Sequence, residues 1–237
     1  MSVAIAGLAI ALGVSSAHAI PALQIYIEGS VYDSVTETWV LTPATPLDTI
    51  RLWTIGNIDG PGGKGSITDV RLAIAYDSGL TPTFSLMPKE TDGFGGWVDP
   101  TTPSAPTFLQ TVTDGSAPLL GNGSPLPSHG IYGAGTDWQE FSLGDFTEIT
   151  SSIADVIDIF PIPVGLGGHI NVYELGIADA PDNAVLHFDL YNEILAGTHA
   201  KFAPFSHDGE VVVPLPGATV LAAIGFGCVG FVRRRFQ

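Results

Sequence analysis

Val70-Arg71-Leu72-Ala73-Ile74-Ala75-Tyr76 sets large apolar residues (Val70, Leu72, Ile74, Tyr76) in strict alternation with Arg71, Ala73 and Ala75. Successive side chains of an extended chain point to opposite faces, so a period of two marks a strand with one face in a core. The same pattern recurs at both ends of the chain. Leu23, Ile25 and Ile27 alternate with Gln24, Tyr26 and Glu28, and Leu186, Phe188 and Leu190 alternate with His187, Asp189 and Tyr191. The runs TWVL (38–41), IRLWTIG (50–56), TFSL (83–86), WQEFSL (138–143) and INVYELGIA (170–178) are rich in β-branched and aromatic residues and are bounded by Gly, Pro, Asp or Asn. Many short strands separated by turn signals predict an all-β fold, a β-sandwich or jelly-roll-like single domain.

One segment departs from this pattern. In SSIADVIDIF (151–160), Ile153, Val156, Ile157 and Phe160 fall on one face at helical spacing. Ser152 is placed to cap, and Pro161 and Pro163 stop the run. A short helix over one end of the sandwich is expected. Residues 88–108 and 113–136 read as long loops rich in Pro, Gly, Thr and Asp.

Apolar residues make up 45% of the 237-residue chain, which excludes a disordered acidic tail for most of it. The 24 acids against eight bases argue against a nucleic-acid partner, because phosphate binding needs Lys and Arg. One cysteine excludes a disulfide scaffold.

The ends are of different character from the body. Residues 1–19 hold no Lys, Arg, Asp or Glu and end in Ala17-His18-Ala19, with small residues at the two positions that signal peptidase reads. This predicts a signal peptide cut after Ala19, although no basic residue precedes its apolar run. At the other end, Val213-Pro214-Leu215-Pro216 leads into GATVLAAIGFGCVGFV (217–232) and then Arg233-Arg234-Arg235. Sixteen helical residues span about 24 Å, close to a hydrocarbon core of about 30 Å once the flanks snorkel. A transmembrane helix over 217–232 with its Arg cluster on the cytoplasmic side is expected. Both ends then agree that residues 20–213 lie outside the inner membrane. That body carries all 24 acids, five bases and no cysteine, a net charge of −19.

The order of proline motif, short apolar helix and terminal arginines resembles the PEP-CTERM sorting signal of Gram-negative bacteria. Leu215 stands where the commonest form of that signal has Glu. The resemblance implies that exosortase, a membrane protease-transpeptidase, processes the segment 214–237. The body offers a second resemblance. The phrases IYIEGSVYDSVTETWV (25–40), IGNIDGPGGKGSITDVRLAIAY (55–76), LPSHGIYGAGTDWQEFSLGDF (126–146) and HFDLYNEILAGTHAKFAPFSHDGE (187–210) are similar to the choice-of-anchor N proteins. That likeness implies a secreted, surface-sorted domain, and it supplies no catalytic or binding residues.

Four groups of residues carry chemistry worth weighing. His187 and Asp189 share a strand face, and His199 and His207-Asp208 follow within about twenty residues. His187, Asp189, His199 and His207 are therefore candidate metal ligands, set against the plainer reading of solvated polar side chains, because their spacing fits no zinc template. Asp-Gly and Asn-Gly loops at 57–60, 91–93, 99, 114–115 and 122–123 suit either weak Ca²⁺ binding or Asx turns. Trp97, in a Gly-rich loop, is the best exposed candidate for stacking on a sugar, whereas Trp53 reads as core. No Gly-x-Ser-x-Gly elbow is present, and Gly62-Gly63-Lys64-Gly65-Ser66 lacks phosphate-loop spacing.

These readings converge on an exported protein at the cell surface, associated with extracellular polysaccharide and structural or adhesive rather than catalytic. Its partners would be signal peptidase and exosortase during export, and the membrane before processing. A carbohydrate- or calcium-binding module and a secreted hydrolase are the rivals. The hydrolase requires two carboxylates about 5–10 Å apart in a cleft, or His187, Asp189, His199 and His207 meeting at a point.

Overall fold

The computed structural model describes residues 20–43, 49–59, 65–89, 105–127, 131–153, 155–157, 167–192 and 207–213. The signal segment 1–19, the tail 214–237, Trp97 and His199 lie outside the described residues. Twelve strands follow in chain order: β1 (Leu23–Ile27), β2 (Val31–Asp33), β3 (Thr38–Leu41), β4 (Thr49–Asn57), β5 (Ile67–Asp77), β6 (Thr83–Pro88), β7 (Thr107–Val112), β8 (Thr136–Phe146), β9 (Ser151–Ser152), β10 (Gly167–Ala178), β11 (Val185–Asn192) and β12 (Gly209–Val212). All eight expected runs fall on strands. β2, β7, β9 and β12 were not among them.

The strands form two sheets. The first has the order β1-β4-β10-β6, with β9 also on β10, and the second has the order β2-β3-β12-β11-β5-β8-β7. Neighbours are antiparallel except β3 and β12, which run parallel with Trp39 opposite Gly209. The architecture is an all-β sandwich. Its main core draws Leu23, Ile25, Ile27, Leu52, Tyr173 and Leu175 from the first sheet and Leu72, Ile74, Phe188 and Leu190 from the second. The period of two in VRLAIAY thus places Leu72 and Ile74 between the sheets and Ala73 and Ala75 on the far side.

Those far sides are buried too. On the first sheet, Tyr26, Trp53, Ile55, Ile170 and Val172 form a second cluster under Ile153 and Val156. On the second sheet, Ala73, Ala75, Trp138 and Tyr191 pack beneath Leu120 and Leu126 of the 113–136 loop. This loop is anchored rather than free. Gly121 N–H donates to the Asn192 carbonyl at 3.2 Å, and the Trp138 indole donates to the Ser116 carbonyl at 2.7 Å.

The helix expected at 151–160 is corrected over its described part. Ser151 and Ser152 pair with Gly168 and Gly167 as β9. Ile153 drops over Gly168, where a Cβ would come within 2.3 Å of the isoleucine. The Val156 N–H is taken by Gln24 Oε1 and the Ile157 N–H by Asp155 Oδ1, both at 2.9 Å. Side chains therefore satisfy the donors that a helix would satisfy with its own carbonyls. The spacing of Ile153 and Val156 serves a strap lying across the first sheet. Residues 154 and 158–160 lie outside the described residues.

Candidate metal centre

The second sheet carries a row of polar residues on its covered outer face. His187 and Asp189 project from β11 on that face, opposite Ala75 and Ala73 of β5. The two alanines leave room that larger side chains would fill, and the 131–132 turn reaches in from above. Asp208 arrives from the residue just before β12, held by its carbonyl accepting the Trp39 N–H at 3.2 Å. His187, Asp189 and Asp208 are 5%, 3% and 0% exposed. One ligand atom from each lies within 4.8 Å of the others. His187 Nε2 stands 3.5 Å from Asp189 Oδ2 and 3.9 Å from Asp208 Oδ2. Tyr132 donates its hydroxyl to Asp189 Oδ2 at 2.5 Å.

Two carboxylates this close and this dry repel one another. Burial, and next the charge of Asp189, push the Asp208 carboxyl well above the usual carboxylate range. Burial and then the neighbouring Asp189 likewise push the Tyr132 hydroxyl well above its ordinary value. Buried as it is, the cluster disfavours uncompensated negative charge. Chemically it offers one imidazole nitrogen and two carboxylates, a set that suits a divalent metal.

Of the residues expected to gather here, the structure unites His187 and Asp189 and adds Asp208, the neighbour of His207. It sends His207 elsewhere, and this corrects the expectation. His207 Nε2 pairs with Asp155 Oδ1 at 2.9 Å beside the strap on the first sheet. His207 lies in a 3₁₀ turn just before β12 and is turned toward Asp155, which leaves Asp208 as the one of the pair beside His187.

Two other buried polar groups, Glu140 and His169, are well partnered, whereas Trp39 Nε1 and Asp137 Oδ1 are buried without a hydrogen bond among the described residues. Glu140 accepts from Arg71 at 3.2 Å, Gln110 at 2.7 Å and Tyr191 at 2.6 Å. His169 lies between the Glu148 carbonyl at 2.9 Å and Asn171 Oδ1 at 3.1 Å, with its ring stacked on Phe146. Two of the Asx loops weighed for calcium are turns. Asp114 Oδ1 accepts the Ser116 N–H and Asn122 Oδ1 accepts the Ser124 N–H, both at 2.9 Å. Trp39, Trp53 and Trp138 are buried rather than displayed. An open groove of about 470 Å³ beside β2 is lined by Val31, Tyr32, Asp33 and Val40 among others, with Asp33 its one carboxylate.

No family model and no curated protein matches the chain. Among solved structures it is similar to AvmM, which catalyses macrocyclization in alchivemycin A biosynthesis, at 9% identity with 81% of this chain and 89% of that one covered. The TM-score is 0.28, a likeness that carries no argument about activity here.

Proposed function

We propose that the chain is an exported, exosortase-sorted surface protein whose β-sandwich acts by structure and adhesion rather than by catalysis. The observation that carries this reading is where the sandwich stops. β12 ends at Val212, and Val213 is fixed by two backbone bonds at 2.8 Å, its N–H to the Ala184 carbonyl and its carbonyl from the Asn183 N–H. Pro214 and the apolar segment begin at the next residue. A sheet completed there leaves residues 214–237 available as an address label, which is the role that the tail's resemblance to PEP-CTERM signals implies.

The body is suited to life outside the inner membrane. It has no cysteine to misoxidise, and its net charge of −19 favours solubility and repels anionic surfaces. Among the described residues, its buried apolar side chains gather in three clusters, while others such as Val35 and Phe108 stay exposed.

Ending the chain at Val213 tests this division. The truncated protein is expected to leave the inner membrane and to appear in soluble form in the periplasm or medium, measured by fractionation and immunoblotting. Aggregation, or retention in the membrane, would show that the tail belongs to the fold.

A further inference from the structure

We propose that His187, Asp189 and Asp208 bind one divalent first-row transition-metal ion, with zinc as the representative, in a buried site that ties β11 to the start of β12. This goes beyond the surface-module reading and does not depend on it.

Two independent observations point to a cation. The first is the convergence of two buried carboxylates on one imidazole. The second is the imidazole itself. His187 is 5% exposed, yet neither ring nitrogen makes a hydrogen bond. A buried polar group without a partner costs free energy, so such groups are rare unless something else satisfies them. Here Nε2 is directed at the two carboxylates from distances longer than a good hydrogen bond.

Those distances suit a metal. Ligands about 2.1 Å from a tetrahedral zinc stand about 3.4 Å from one another. The two nitrogen-to-oxygen separations of 3.5 and 3.9 Å need only a small inward movement of the side chains. A neutral imidazole with two carboxylates carries two negative charges, which a divalent ion neutralises. The nitrogen ligand argues against calcium and magnesium, which take oxygen donors. Mixed nitrogen and oxygen donors suit zinc, manganese or ferrous iron. Tyr132 supplies the outer support. Its hydroxyl on Asp189 Oδ2 orients that carboxylate, as partners behind metal ligands do. The three buried side chains fill three of the four tetrahedral positions and leave the fourth for a further donor such as water. In a body without cysteine, and so without disulfides, the ion takes the place of a covalent staple.

The test uses the purified full chain, stripped with chelator and titrated with Zn²⁺. The expected result is one zinc per chain retained through desalting, read by elemental mass spectrometry. The melting temperature should rise by about 5–10 °C at a hundredfold excess of free zinc over Kd. Ca²⁺ at the same concentration should produce no such rise. Asp208→Asn, which keeps the shape and removes one charge, should fold normally by circular dichroism and lose the zinc. His187→Ala should lose it too, and Tyr132→Phe should weaken it about ten- to a hundredfold. Asp77→Asn, on the exposed surface, should bind as the natural chain does. If His187→Ala does not fold, Asp208→Asn decides alone. Zinc held equally by Asp208→Asn, or no retained zinc in the natural chain, overturns the site.

Discussion

Trp53→Ala is expected to destabilise the domain by about 3–5 kcal/mol, read as a lowered urea midpoint with an unchanged slope. Trp53 sits mid-strand in β4, fully buried, and faces away from the other sheet. It packs with Tyr26, Ile55, Val172, Ile153 and Val156, and its indole N–H reaches Glu28 Oε2 at 3.4 Å. Truncation there opens a cavity beneath a strap whose Val156 and Ile157 N–H groups are held by side chains. Asp155 and Val156 should then gain mobility, visible as faster amide exchange at Val156 and Ile157. A sandwich with a wet outer face on its first sheet would lose far less, so the size of the effect measures whether that face is truly core.

Arg71→Met is expected to cost about 3–5 kcal/mol, because it strands a buried charge. Glu140 is 4% exposed and sits opposite Ala73 on β5, with Arg71, Gln110 and Tyr191 around it. Arg71 is also held by Asp69 through two bonds at 3.0 and 3.2 Å. Removing the guanidinium leaves a carboxylate in a dry setting with two neutral donors. The double variant Arg71→Met with Glu140→Leu should recover much of the loss, since it is the uncompensated charge that is costly and not the absence of the pair. Chemical unfolding of the two singles and the double closes the cycle. A double variant as unstable as Arg71→Met would assign the loss to packing instead.

The strands legible in the sequence are those whose own residues decide their state. VRLAIAY and LHFDLY alternate cleanly because their inner faces meet the main core, while their outer faces accept small or polar residues. IRLWTIG breaks strict alternation, with Leu52 and Trp53 adjacent, because β4 is covered on both sides, and the sequence does not say by what. β12, only four residues long, lies between β3 and β11, and its extended state is imposed by those neighbours. β9 is two serines made into a strand by Gly167 and Gly168. The helix expected at 151–160 fails for a related reason. A spacing of three between Ile153 and Val156 is common to a helix and to a strap laid over glycines, and only the tertiary partner Gln24 tells them apart.

The candidate site divides in the same way. His187 and Asp189 could be placed on one face from their separation of two residues alone. Choosing Asp208 over His207 requires the direction in which the chain enters β12, and that is set by the parallel pairing of β12 with β3. Tyr132 comes from the long loop over the sheet, and no local pattern announces its contact with Asp189. Its visible signals were an aromatic residue in a Gly-rich turn and a pair of alanines in β5 that leave space beneath it.

The most direct measurement for the account as a whole is the intact mass of the protein recovered from a Gram-negative host that carries an exosortase. The predicted mass is that of a chain beginning at Ile20 and cut close to Pro214–Pro216, recovered outside the cytoplasm. A full 237-residue mass recovered from the cytosol would contradict it.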